Sequence, residues 1–128
     1  MDKHIFKRKI YDKMLRWKQD SLGRSALLIE GARRVGKSTI VREFASREYS
    51  SHIIIDFNFV TNEVLGYFEQ LNDLDLLFLR LQNYYNVRLE EHRSAIIFDE
   101  VQRCPAARQA IKYLVQDGRY DYIETVCI

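Results

Sequence analysis

Two glycines, Gly31 and Gly36, separate a short apolar run from a helical segment. The run before them, residues 26–30, reads A-L-L-I-E and has the length of a strand that is covered on both faces. Residues 37–47 place apolar side chains at the three- and four-residue steps of an amphipathic helix. Glycine permits backbone angles and close approaches that a Cβ would block. The chain is therefore expected to pass from a buried strand through a glycine-bounded loop into a helix.

The loop itself, residues 31–38, reads G-A-R-R-V-G-K-S, the phosphate-binding P-loop pattern. Backbone N–H groups and the N-terminus of the following helix surround phosphates in such a loop, because the helix dipole favours anions. We expect the lysine to reach the β- and γ-phosphates of ATP, the serine to coordinate Mg²⁺ and the next threonine to donate to the α-phosphate. The predicted nucleotide-binding residues are Gly31, Ala32, Arg33, Arg34, Val35, Gly36, Lys37, Ser38 and Thr39.

A second motif, residues 95–100, reads A-I-I-F-D-E and ends an apolar strand pattern with two acidic residues. A carboxylate at Asp99 is expected to hold Mg²⁺, through water, beside Ser38. Glu100 points away from the strand pleat and is predicted to act as the general base that polarises the attacking water. Lys37 and Glu100 are thus the predicted catalytic residues, and Ser38 and Asp99 the predicted metal ligands.

Strand and helix patterns alternate along the chain, which predicts an α/β fold of parallel strands joined by right-handed crossovers. Ligands of such sheets bind beyond the carboxyl ends of the strands, where both motifs lie. Two helices are expected to meet near residues 72–73, and Pro105 and Gly118 are expected to bound a later helix. The predicted strands are 26–30, 52–59, 94–99 and 120–127, and the predicted helices lie within 7–18, 37–47, 62–86 and 105–117.

Composition restricts the chain to ordinary globular proteins, with 47% hydrophobic and 30% charged residues among 128. No apolar run approaches a membrane span and no export signal is present, so we expect a cytoplasmic protein without a membrane partner. Cys104 and Cys127 form neither a metal spacing nor a disulfide framework. Residues 1–23 form a basic amphipathic helix and turn, which either binds nucleic acid or is a solvated helix face. Residues 24–128 form the predicted P-loop core.

The acidic pair separates the classes of P-loop protein. A switch GTPase would show D-x-x-G where residues 99–102 read D-E-V-Q, and residues 88–93 lack the glycine-rich signature of a transporter ATPase. An adjacent Asp-Glu favours a hydrolase that activates water. Two alternatives stay open: a P-loop phosphotransferase that acts on a small molecule, and a non-catalytic fragment that binds ATP, DNA or a partner.

The joined motifs resemble a prokaryotic AAA-type ATPase family whose members carry a C-terminal domain of unknown function. The resemblance covers nearly the whole chain and includes residues 8–15, 26–39, 96–102 and 107–125. It implies a P-loop NTPase fold with strand order 1-4-3-2, the first four strands of the AAA-type order 5-1-4-3-2. A polar residue at the tip of the fourth strand senses the γ-phosphate in AAA-type enzymes, and Thr125 occupies that position.

The chain departs from the family after Thr125. Family members continue with a small polar turn, typically Gly-Ser, whereas this sequence reads Val126-Cys127-Ile128. We therefore expect a truncated ATPase, in which the fifth strand, the helical lid and an arginine finger are absent and ATP hydrolysis is impaired. The resemblance leaves open a homo-oligomer or the missing C-terminal domain as a partner.

Overall fold

A computed structural model describes residues 3–31 and 36–128 of the chain. After an N-terminal helix, strands alternate with helices, except that two helices lie between the second and third strands. A 3₁₀ turn at Val101–Arg103 follows the third strand. No helix within these two ranges is both long and apolar enough to cross a membrane. The helices are α1 (Lys3–Ser21), α2 (Lys37–Glu48), α3 (Asn62–Tyr67), α4 (Leu74–Tyr85) and α5 (Pro105–Asp117); the strands are β1 (Leu27–Gly31), β2 (Ser51–Asp56), β3 (Ser94–Asp99) and β4 (Asp121–Cys127).

The four strands form one parallel sheet in the order β1-β4-β3-β2. This order confirms the α/β fold and the 1-4-3-2 arrangement expected from the resemblance. Asp56 and Asp99 are partners in the β2–β3 register, and Gly31 pairs with Cys127 in the β1–β4 register. The carboxyl ends of all four strands therefore lie side by side at one end of the sheet, where both sequence motifs lie.

Two apolar clusters cover the two faces of the sheet. Helices α1 and α2 pack on one face through residues such as Met14 and Phe44, and α3, α4 and α5 cover the other. The break between α3 and α4 lies near residues 72–73, as predicted, because the carboxylate of Asp73 accepts a hydrogen bond from Leu76 N at 3.1 Å and caps α4. Gly118 adopts a left-handed conformation at the C-terminus of α5, which ends at Asp117, again as predicted.

The predicted second strand, residues 52–59, extends too far. Strand β2 ends at Asp56, whose carboxylate accepts a hydrogen bond from Asn58 N at 3.0 Å, while Phe59 N donates to Asp56 O at 3.1 Å. This local turn ends the ladder in spite of the high strand propensity of the aromatic residues that follow. Phe59 is consequently 85% exposed.

The continuous apolar run of the first strand predicted a strand covered on both faces, and this prediction is wrong. Leu27 and Ile29 pack against the cluster beneath α1 and α2, whereas Leu28 and Glu30 are exposed on the opposite face. The reason is the packing around β1, because Leu28 belongs to neither of the two apolar clusters that cover the faces of the sheet. A two-sided cover requires an element packed on each face, and the periodicity of one segment does not report which elements pack on it.

The exposed edge of β1 predicts concentration-dependent association of the chain, because an apolar edge strand is a template for pairing. Leu28, 37% exposed, should contribute to it, so Leu28→Lys is expected to lower light scattering at high protein concentration. Leu79→Lys is the matched control, since Leu79 is 54% exposed on α4 rather than on the edge strand. Equal scattering by the wild type and both variants would contradict an association through β1.

Phe98 anchors the strand that carries the acidic pair. Its side chain is fully buried, with ring centroids 5.7 Å from Phe57 and 5.5 Å from Phe68, and it makes a further edge contact with Tyr122. We expect Phe98→Ala to lower the free energy of unfolding by about 3–5 kcal/mol, measured by urea denaturation. The exposed Phe59→Ala should change it by only about 0.5 kcal/mol. Similar losses in the two variants would show that this cluster is not the core.

Candidate functional site

The loop after β1 leads into a helix whose N-terminus faces the carboxyl edge of the sheet. Gly31 ends β1, and Gly36 adopts φ 84° and ψ 21° immediately before α2. This left-handed conformation is one that a residue with a Cβ rarely adopts, which explains the glycine at position 36. The predicted nucleotide-binding residues Ala32, Arg33, Arg34 and Val35 lie outside the described residues.

Helix α2 begins with the three predicted ligand-binding residues Lys37, Ser38 and Thr39. The N–H groups of a first helical turn have no partner within the helix, and the helix dipole makes this end attractive to anions. The Lys37 side chain is only 6% exposed, whereas Thr39 is exposed. The first turn of α2 therefore combines N–H donors, a hydroxyl group and a buried cation at one end of the sheet.

The Ser38 hydroxyl group meets the carboxylate of Asp99 at the end of β3. Ser38 Oγ lies 3.1 Å from Asp99 Oδ1 and 3.1 Å from Asp99 Oδ2, and Asp99 is 5% exposed. The two residues are far apart in sequence, and the sheet, in which β3 lies two strands away from β1, brings them together. The pair provides hard oxygen atoms of the kind that Mg²⁺ prefers.

A magnesium ion fits this donor set without a larger protein cage. Among residues 3–31 and 36–128, no three His, Cys, Asp or Glu side chains cluster closely enough to hold a metal. Mg²⁺ usually keeps several waters and takes one or two protein ligands together with substrate phosphates, so such a cluster is not required. A serine hydroxyl and one buried carboxylate are sufficient protein ligands for it in P-loop sites.

Glu100 forms an ion pair with the loop lysine. Glu100 Oε1 lies 3.2 Å from Lys37 Nζ, and the side chains are 12% and 6% exposed respectively. Gln102 Nε2 donates to the other carboxylate oxygen of Glu100 at 2.7 Å. Glu100 also has φ 57° and ψ 49°, a left-handed conformation that is uncommon for a residue other than glycine. The sequence predicted that Glu100 would diverge from the strand, but it did not predict the contact with Gln102.

Thr125 joins the two acidic residues from the neighbouring strand. Its Oγ1 donates to Asp99 Oδ1 at 2.6 Å and accepts a hydrogen bond from Glu100 N at 2.9 Å. The residue is completely buried at the carboxyl end of β4. Asp99 thus receives hydrogen bonds from both Thr125 and Ser38.

Helix α1 contributes a side wall next to Gly36 and the first turn of α2. Lys7 and Ile10 line a cavity of about 80 Å³ together with Ile29, Gly36 and Ile40. A Cβ added to Gly36 would lie 3.6 Å from Lys7 Cε, so the basic helix approaches the loop closely. Sequence reasoning did not single out Lys7, because the spacing of apolar residues gives the inner face of a helix but not the element it packs against.

Tyr11, Trp17 and Asp56 each have a structural partner. Tyr11 donates to Glu48 at 2.6 Å and packs edge-on against Phe44; burial and this hydrogen bond raise the pKa of Tyr11 to about 12. Trp17 Nε1 donates to Ser25 O at 3.3 Å. The contacts of Tyr11 and Trp17 are those of helix packing. Asp56 lies at the carboxyl end of β2, beside the end of β3, but its carboxylate is engaged in the turn after β2 described above.

The parallel sheet, the glycine-bounded loop that enters a helix and the acidic pair at a nearby strand end define a P-loop NTPase-like α/β domain. A comparison with protein-family models matches residues 23–126 to the AAA domain, and the chain belongs to this family. Neither the search of curated proteins nor the search of solved structures found a match. Membership of the AAA family indicates a nucleotide-binding, ATPase-like function.

Proposed function

We propose that this AAA domain binds ATP with Mg²⁺ and hydrolyses it between the first turn of α2 and the acidic pair of β3. The observation that carries the proposal is the approach of Ser38 Oγ to both carboxylate oxygens of Asp99, at 3.1 Å each. This contact brings the ends of the two motifs to one point. A P-loop pattern that occurred by chance would not be expected to place its serine within hydrogen-bond distance of a buried carboxylate.

Binding of ATP is proposed to replace Glu100 by the phosphates as the partner of Lys37. In the structure Lys37 Nζ lies 3.2 Å from a carboxylate oxygen of Glu100. The β- and γ-phosphates carry more negative charge than one carboxylate, and the N-terminus of α2 adds its N–H donors beside them. Lys37 would then move to the phosphates, while Gln102 keeps its hydrogen bond to Glu100. The magnesium ion, held by Ser38 and Asp99, would supply positive charge to the phosphate oxygens.

Glu100 is proposed to act as the general base. In this role a carboxylate oxygen of Glu100 accepts a proton from a water molecule while Lys37 contacts the phosphates. The oxygen of that water attacks the γ-phosphorus, the bond to the β–γ bridging oxygen breaks, and ADP and inorganic phosphate leave. A carboxylate in this role must lie within hydrogen-bond reach of the water, and the side chain already contacts the lysine that would bind the γ-phosphate.

Calorimetric titration with ATP in Mg²⁺ and in EDTA tests the binding proposal, and product analysis with γ-labelled ATP tests the reaction. We expect tighter binding in Mg²⁺ and release of the label as inorganic phosphate. Label transferred to a small acceptor would instead support a phosphotransferase. Binding without either product would support a non-catalytic binding domain, and no binding in either buffer would reject the proposal.

A further inference from the structure

We propose that Thr125 is a positioning residue for Asp99 and Glu100, and that its hydroxyl group does not contact the γ-phosphate. The proposal rests on the function proposed above and assigns Thr125 a role within that site. Two hydrogen bonds, the complete burial of Thr125 and the backbone conformation of Glu100 carry it.

The hydrogen-bonding capacity of the hydroxyl group decides between positioning and sensing. A threonine hydroxyl has one proton to donate, and Thr125 donates it to Asp99 Oδ1 at 2.6 Å. The oxygens of an ionised phosphate only accept hydrogen bonds. Thr125 could therefore serve the γ-phosphate only by releasing Asp99, which is the proposed magnesium ligand.

The second hydrogen bond acts on the backbone of Glu100. Thr125 Oγ1 accepts from Glu100 N at 2.9 Å, at the residue where the chain leaves β3 with φ 57°. A left-handed conformation at a non-glycine residue persists only where its surroundings hold it. This conformation accompanies the contact of the Glu100 carboxylate with Lys37. One buried hydroxyl group thus orients the metal ligand and supports the turn that presents the base.

The parallel register makes this arrangement possible. Phe98 of β3 is opposite Glu124 of β4, so Thr125 follows at the same height as Asp99. Ser38 contacts both oxygens of Asp99, and Thr125 contacts Oδ1. The Asp99 carboxylate is therefore held by hydroxyl groups from α2 and from β4, which limits its rotation before any metal binds.

Thr125→Val and Thr125→Ser form a matched pair for the test. Valine has nearly the shape of threonine but removes both hydrogen bonds, and serine keeps the hydroxyl group. In the nucleotide-free protein we expect the Glu100 amide to lose its protection from hydrogen exchange in Thr125→Val and to retain it in Thr125→Ser. Unchanged protection in Thr125→Val would overturn the positioning role. This measurement stands even if the chain binds no nucleotide.

Titration with ATP and ADP then separates positioning from phosphate sensing. Positioning predicts that Thr125→Val weakens the Mg²⁺ enhancement of ATP binding by roughly 10–100-fold, as for other residues that orient metal ligands. It also predicts that the preference for ATP over ADP in EDTA is unchanged, and that Thr125→Ser restores the Mg²⁺ effect. Loss of the ATP preference in EDTA would overturn the proposal in favour of a γ-phosphate contact. If Thr125→Val does not fold, Thr125→Ser must still match the wild type in all these measurements, and a deficit there would overturn the proposal.

Discussion

Lys37→Ala is expected to abolish most of the affinity of the chain for Mg-ATP. Lys37 is the lysine of the P-loop pattern, it lies in the first turn of α2, and its charge is buried against Glu100. Removing one partner of a buried, hydrogen-bonded charge pair costs about 2–5 kcal/mol. The dissociation constant should therefore rise roughly 30-fold to 4,000-fold, measured by calorimetric titration.

Two further variants define the origin of that loss. Lys37→Arg keeps the charge but replaces a compact ammonium group with a planar guanidinium, so it should restore only part of the affinity. Lys112→Ala removes an exposed lysine of α5 that lies over the ring of Tyr113, and it should bind as the wild type does. Wild-type affinity in Lys37→Ala would remove the basis for reading residues 31–38 as a phosphate loop.

Glu100→Gln is expected to separate binding from hydrolysis. Glutamine keeps the size of the side chain but cannot accept a proton as a carboxylate does, so turnover should fall about 10²–10⁴-fold. Affinity for Mg-ATP should be retained, because the variant also removes the carboxylate that competes with phosphate for Lys37. Single-turnover release of labelled phosphate, with protein in excess over ATP, measures even a slow wild-type reaction.

The control for this experiment is Glu69→Gln, which neutralises an exposed glutamate between α3 and α4 and should leave turnover unchanged. Unfolding curves for the three proteins establish that any difference arises from chemistry rather than from loss of fold. Turnover by Glu100→Gln equal to that of the wild type would place the general base elsewhere. A parallel loss of ATP binding would show instead that Glu100 helps to build the nucleotide pocket.

Local signals in the sequence were sufficient for most of the fold. The apolar run of β3 is bounded by polar residues, and its predicted limits agree with Ser94–Asp99. Pro105 and Gly118 mark the ends of α5 because one lacks an N–H that the first turn does not need and the other tolerates a left-handed conformation. Alternation of strands and helices then restricts the sheet to parallel topologies, although the order itself was inferred from the family resemblance.

The errors at β1 and β2 arise where a tertiary or side-chain contact overrides periodicity. Residues 57–59 have strand propensity, but the carboxylate of Asp56 binds the backbone of Asn58 and turns the chain. Leu28 belongs to a continuous apolar run, yet it is exposed because neither apolar cluster of the sheet includes it. Which elements pack on each face of a strand is decided by the tertiary structure, which no single segment contains.

The sequence by itself determined the residue types of the site and their positions at strand and helix ends, because a glycine-bounded loop and a strand-ending acidic pair are contiguous patterns. Only the tertiary structure decided which partner each side chain has. Thr125 is distant in sequence from Asp99 and Glu100, and Gln102 lies in a turn whose direction depends on the left-handed Glu100. Hydrogen bonds require distances near 3 Å, and those distances are set when β4 pairs with β3 and α2 packs on the sheet.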